Sequence, residues 1–238
     1  MQLVTELAVV QNLAHRGFGT RRNFHQVEAG ILGQVDRGAL GIAGAQARAD
    51  CLVPLIKAWG TDIGCEVASL GVQIHGGMGF IEETGAAQHY RDARITPIYE
   101  GSNGIQAADL VTRKLGYEQG EVLCALLSDV ARAAEGRSAE LQALADDCLD
   151  VARWMAGTAS LDDKLAGSVP FCTMCAVAVA GWQLLRQVDA AEGALAASKP
   201  VVSRYFNAHL VPEARGLKAA AVAGAELLYA LDAEALAG

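Results

Sequence analysis

Residues 39–74, ALGIAGAQARADCLVPLIKAWGTDIGCEVASLGVQI, decide the fold. Leu52, Leu55, Ile56, Trp59, Ile63, Val67, Leu70 and Ile74 recur at steps of three and four. That period places them on one face of a long helix. Pro54 lies inside the run and predicts a kink or an early break, because its ring removes a backbone donor and crowds the preceding turn. The helix is predicted to stop at HGGMGF, where Gly76 and Gly77 supply C-terminal stop residues.

Toward the N-terminus the pattern fades. In residues 1–38, Leu3, Leu7, Val10 and Leu13 could form one stripe, and Arg16, Arg21 and Arg22 make a basic cluster that reads as solvated loop. Toward the C-terminus, AAQHYRDARI reads as a short helix, Pro97 disfavours helix at Thr96, and TPIYEG leads into a turn. Ser102 or Asn103 can cap the next helix, which carries Ile105, Leu110, Val111 and Leu115. After Gly116 the composition shifts. Four further helical segments are predicted at about 120–135, 138–156, 168–190 and 192–235, the last broken near Pro212. Their stripes are Val122, Leu123, Leu126, Leu127 and Val130, then Leu141, Leu144, Cys148 and Leu149, and later Val202, Tyr205, Phe206 and Leu210. No strand-like alternation and no repeat is visible. The predicted class is all-α: a helical bundle over residues 1–116, with 1–38 the least patterned part, and a second helical bundle over 117–238.

Composition bounds the function. The chain is 52% hydrophobic but only 5% aromatic, so its core must be built from Ala, Leu and Val. Its net charge of -8 argues against nucleic acid, whose binding rests on Lys and Arg neutralising phosphates. The six cysteines, at 51, 65, 124, 148, 172 and 175, sit mostly inside apolar helical patterns, as in a reduced cytoplasmic protein. MQLVTELAVVQNL has no basic leader pattern, so no signal peptide is expected. The most apolar stretch, Pro170 to Leu185, contains Thr173 and Gln183 and falls short of the roughly 20 residues a bilayer requires, so a buried helix is expected rather than a membrane span.

Several residues could carry chemistry. Gly76-Gly77-Met78-Gly79 would let backbone N–H groups approach an anion, with Gln73 one turn earlier adding a side-chain donor; a helix C-cap with a tight turn needs the same glycines. Glu100, between Tyr99 and Gly101 after a Pro-stiffened stretch, could project into a cleft, where desolvation would make it a usable base; a surface carboxylate is the default for any Glu. Arg91-Asp92-Ala93-Arg94 suggests ion pairs that hold the loop, and Glu82-Glu83 reads as solvated loop. His75 and His89 have no partner at metal spacing, so no metal site is expected. Cys172-Thr173-Met174-Cys175 lacks a second pair, and buried thiols are the stronger reading.

In order, these residues form EVASLGVQIHGGMGFIEETGAAQHYRDARITPIYEGSNGIQAADLVTRKL, residues 66–115. The run resembles the C-terminal α-domain of acyl-CoA dehydrogenases, through Q-x-x-G-G-x-G at 73–79, R-D-A-x-I at 91–95 and I-Y-E-G at 98–101. GWQLLR at 181–186 and SKPVVSRYFNAHLVPEARGL at 198–217 resemble the extra helical domain of the large members, among them the 3-(methylthio)propanoyl-CoA dehydrogenases of bacteria. The resemblance implies FAD as cofactor and an acyl-CoA thioester as substrate. It implies Glu100 as the base, with Tyr99 and Gly101 as substrate contacts. Gln73, Gly76 and Gly77 match positions that contact the FAD pyrophosphate, usually from a neighbouring subunit, and Ser102 matches a position near the cofactor. Gly104 stands where many members carry Gln, the form common in the large branch. An electron-transfer flavoprotein as acceptor and a homo-oligomer are further implications. A full member also carries an N-terminal helical domain and a middle β-domain, so the chain reads as the C-terminal part of such an enzyme; the alternative is a catalytically incompetent helical fragment that acts only as an oligomerisation or interaction module.

Overall fold

The computed structural model describes residues 37–237, with side chains from residue 44 onward. The stripe and basic cluster read in residues 1–36 lie outside the described residues. Every regular element among the described residues is helical, so the all-α expectation holds. Two compact units are present, one ending at Gln106 and the other beginning at Ala107.

The first unit is built on α1, Arg37–Ile74. Pro54 does not break it: the helix runs on without interruption. An internal proline costs about 3 kcal/mol. Burial of Cys51, Leu52 and Leu55 around it outweighs that cost. The expected stripe is only half right. Leu52 and Leu55 are buried, but Leu70 and Ile74 are exposed, and burial farther along falls on Cys65 and Ala68. The reason is the partner. Helix α2 (Gly77–Phe80), a 3-10 turn (Glu82–Thr84) and α3 (Ala86–Ala93) follow. α3 packs back on α1 with Ala86 and Ala87 buried, and small residues let the two backbones approach. Cys65 donates its thiol hydrogen to Ala93 O at 3.3 Å. α4, Asn103–Asp109, comes next.

The second unit contains a π-turn (Leu110–Lys114), a 3-10 turn (Tyr117–Gly120), α5 (Glu121–Ala134), α6 (Ala139–Gly157), α7 (Leu161–Ala166), α8 (Ser168–Ala190), α9 (Ala194–Gly216) and α10 (Lys218–Ala221). The sequence reading lacked the π-turn and α7. It also misplaced a break: α9 continues through Pro212 and stops at Gly216. α8 packs on α5, α6 and α9, and α6 packs on α5 and α9. Leu123, Leu126, Leu127, Leu141, Leu144, Phe171 and Met174 fill the centre. On α9 the buried face is turned from the expected one. Ser203, Phe206, Asn207, Val211 and Ala214 are buried, while Tyr205 is exposed and stacks on His209. Two polar residues on the inner face hid it from an apolar count.

At 23 residues α8 exceeds the stretch read from sequence, and by length and composition it could cross a membrane. Phe171, Cys172, Met174, Cys175 and Ala178 are buried among the neighbouring helices, the pattern of a core helix. The described cysteines are thiols, and Cys172 and Cys175 are buried as expected. Burial, then a hydrogen bond to Cys148, pushes the Cys175 thiol well up.

Asp147 on α6 accepts hydrogen bonds from Arg215 Nε at 2.8 Å and Lys218 Nζ at 2.9 Å. Burial alone would raise its carboxyl, but the two cations outweigh this and hold it below the usual value. Its stabilising contribution is therefore complete above the unfolded value of about 3.9 and is lost as pH falls through the lower folded value. Asp147→Asn should flatten the acid limb of the urea midpoint measured against pH.

Gly167, between α7 and α8, is a point of close approach. A Cβ there would fall on Ala221 O, well inside van der Waals contact, with Met155 Cε at 2.9 Å. Gly157, at the end of α6, has nothing within 4 Å of such a Cβ. Gly167→Ala should cost roughly 1–3 kcal/mol by overpacking. Gly157→Ala should be neutral or stabilising by up to about 1 kcal/mol. Urea denaturation of both variants checks the contrast.

Candidate functional site

The chain leaves α1, turns at Gly76, and runs back along it. Three contacts mark the return: the close approach of Gly79 to Val72, Cys65 with Ala93, and Lys57 with Gly101. Each expected site residue takes its position from this antiparallel path.

At the far end of α1 the glycines have different jobs. Gly76 adopts φ 61 and ψ -144, a conformation that favours glycine. Gly79 is buried, and a Cβ on it would collide with Val72 O. These two are required by the turn itself. Gly77 has ordinary φ, and a Cβ there would meet nothing within 4 Å. Gln73 is exposed one turn earlier. An exposed amide beside two residues without side chains leaves room for a bulky anionic group, so these residues fit a dinucleotide pyrophosphate.

Glu100 lies in the loop between α3 and α4. Its φ is +56, left-handed backbone that few non-glycine residues adopt, and Gly101 follows at φ +83. The loop is fastened at several points. Asn103 N donates to Pro97 O at 3.1 Å, and Gln106 Nε2 donates to Glu100 O at 3.1 Å. Lys57, buried on α1, donates to Gly101 O at 2.7 Å and to Asn103 Oδ1 at 2.8 Å. Thr61 Oγ1 lies 3.1 Å from the same Oδ1, while Asn103 Nδ2 faces Ala58 O at 2.9 Å and Asp62 Oδ1 at 2.7 Å. The ammonium has only donors and the carbonyl only acceptors, which fixes the orientation of the Asn103 amide.

The carboxylate of Glu100 is exposed, where the sequence reading allowed for a desolvated cleft. Tyr99 beside it is half-buried, and burial followed by the Glu100 charge pushes its phenol up. Lys57 is pushed down by burial, against the opposing pull of Asp62 and Glu100. Ser102 is exposed just before α4, and Gly104 lies in its first turn.

The structure sets the glycine turn and the Glu100 loop apart along α1. From Lys57, which holds the Glu100 loop, to Gln73 the helix rises by roughly 24 Å, at 1.5 Å per residue. Other surface features carry structure. Arg91 reaches Glu82 at 2.8 Å, not its neighbour Asp92, because adjacent residues on a helix point apart. Among the described residues no group of His, Cys, Asp or Glu is arranged to hold a metal. Lys57, Thr61, Asp62 and Gln106 were absent from the sequence reading. A lone lysine within the apolar run LVPLIKAWG was the available signal.

Comparison with known proteins bears on this loop and helix directly. Residues 37–115 match the family model described as acyl-CoA dehydrogenase, C-terminal domain. The chain belongs to the acyl-CoA dehydrogenase family. Residues 121–232 match a second model, acetyl-CoA dehydrogenase C-terminal like, consistent with the large branch. The 3-methylmercaptopropionyl-CoA dehydrogenase of Ruegeria pomeroyi is 45% identical over 166 residues, 65% of this chain and 28% of that protein. The broad-specificity linear acyl-CoA dehydrogenase FadE5 of Mycobacterium tuberculosis is 29% identical over 174 residues, 66% of this chain and 28% of that protein. The human mitochondrial short-chain specific acyl-CoA dehydrogenase is 55% identical over 40 residues, 17% of this chain and 10% of that protein. The chain thus spans little more than a quarter of the length of the two longer-matched relatives.

The backbone at Glu100 gives a test of its own. Left-handed φ costs a non-glycine residue roughly 1–2 kcal/mol. Glu100→Gly should raise the unfolding free energy of the chain by about 1 kcal/mol, whereas Gly101→Ala, at φ +83 with Gln106 Nε2 only 3.0 Å from the new Cβ, should lower it. Thermal melts of both variants decide it.

Proposed function

We propose that this chain is the C-terminal part of an FAD-dependent acyl-CoA dehydrogenase in which Glu100 is the base. The observation that carries the reading is the loop itself. A carboxylate is held at an unfavourable φ by contacts on both sides, at the residue after Ile98-Tyr99 in a family-matched segment. Strain kept in place by surrounding structure is characteristic of functional positions.

In the proposed reaction Glu100 takes a proton from the thioester α-carbon. FAD, where bound, would supply the two-electron acceptor for the hydride leaving the β-carbon, so that a trans-2-enoyl-CoA results. The backbone N–H of Glu100 polarises the thioester carbonyl as charge builds there. Tyr99 and Gly101 flank the acyl group. Ser102 lies against the cofactor. Gln73, Gly76 and Gly77 receive the FAD pyrophosphate. The span of roughly 24 Å along α1 supports assigning that turn to the cofactor of a neighbouring subunit, so a homo-oligomer is part of the proposal. The substrate is assigned as a 3-(methylthio)propanoyl-CoA-like thioester on the strength of the Ruegeria relative. Electron-transfer flavoprotein is the proposed acceptor, and the cytoplasm the proposed compartment.

The exposure of Glu100 supports a narrower second reading for the chain alone, a helical interaction module without turnover. The two are separable. In the full-length protein, Glu100→Gln should lower kcat by at least about 100-fold while flavin absorbance is retained. Acyl-CoA-dependent reduction of an artificial electron acceptor measures it. Near-normal turnover would remove Glu100 from the role. A full-length protein with no flavin bands after added FAD would favour the module.

A further inference from the structure

Lys57 on α1 is 3% exposed. An ammonium in such a place loses its hydration, and it persists only where acceptors replace the water. Two acceptors converge on it, Gly101 O at 2.7 Å and Asn103 Oδ1 at 2.8 Å. Neither is a carboxylate. Its charge is balanced at longer range by Asp62 on its own helix and by Glu100 on the loop.

The two acceptors bracket the loop just past Glu100. One is the carbonyl of the next residue, and the other is the side chain that begins α4. Asn103 is in turn fixed to Ala58 O and Asp62 Oδ1. Glu100 at φ +56 is thereby held against its own preference, next to Gly101, which takes φ +83 without strain. Proton abstraction from carbon needs the base oxygen in near-attack geometry, and a displacement of about 1 Å can cost on the order of 100-fold.

We propose that Lys57 is the positioning residue of the Glu100 base, its buried ammonium clamping Gly101 O and Asn103 Oδ1 so that the left-handed loop presents the carboxylate to the substrate α-carbon. This inference rests on Glu100 being the base. Lys57 touches neither substrate nor cofactor in the proposal; it acts through the loop.

The experiment uses the full-length, FAD-loaded enzyme with ordinary and α-deuterated thioester substrate. Rates are expressed per bound flavin. Lys57→Met should lower kcat roughly 10- to 100-fold, leave KM within about threefold, and enlarge the α-deuterium isotope effect, because α-C–H cleavage becomes more fully rate-limiting. Asn103→Ala, which removes one clamp acceptor and keeps the lysine, should give the same signature with a smaller loss. It decides the matter if Lys57→Met does not fold. A fall in activity that merely tracks lost flavin, with kcat per flavin and the isotope effect unchanged, would overturn the inference. Glu100→Gln is run alongside. If it is inactive while Lys57→Met and Asn103→Ala behave as wild type per flavin, the clamp alone is refuted. If Glu100→Gln itself turns over normally, the base assignment fails and the clamp falls with it.

Discussion

One buried cation organises the first unit. Lys57 is buried at the cost of its hydration, and among the described residues its two hydrogen-bond acceptors, Gly101 O and Asn103 Oδ1, follow directly after Glu100. The dependence runs both ways. Without the loop, the lysine would be buried and unpaired; without the lysine, two successive left-handed residues would lose a restraining bond on their outer side. The rest of the path, from the turn at Gly76 through the Cys65–Ala93 contact, delivers the loop to that point.

The small residues of the chain serve the same end. An antiparallel return along α1 needs the two backbones close, and Ala68, Ala86 and Ala87 supply the closeness that Leu or Ile would prevent. The second unit applies the same rule on its own. Gly167 admits the Ala221 carbonyl, and Gly181 admits Leu141. A chain that is rich in apolar residues but poor in aromatics fills its interior by close approach of helices rather than by large side chains.

Periodicity made the helices legible, and the ordered motifs made the family legible. Leu123, Leu126, Leu127 and Val130 are buried as their spacing implies. Where the reading failed, small or polar residues took the buried places. Cys65 and Ala68 displaced Leu70 and Ile74, and Ser203 and Asn207 turned the inner face of α9. An apolar count cannot register a residue that is buried because it is small, or because a partner forty-odd positions away satisfies it. Lys57 is the sharpest case. Its acceptors, Gly101 and Asn103, lie 44 and 46 residues downstream, and nothing in the local pattern of α1 announces them.

The glycine motif shows why contiguity in sequence misleads about a site. Gln73 to Gly79 and Ile98 to Gly101 lie close together along the chain. Folded, they are fixed at opposite ends of the same stretch of α1, because the chain has turned and travelled back. Within the motif the roles divide again: Gly76 answers to backbone conformation, Gly79 to packing against Val72, and Gly77 to neither. Conformation and packing explain a glycine completely within one chain. Gly77, like Gly157, is explained by neither. On the proposed reading Gly77 meets a cofactor whose flavin end another subunit holds, so the chain contributes its Glu100 loop to one reaction centre and its glycine turn to another.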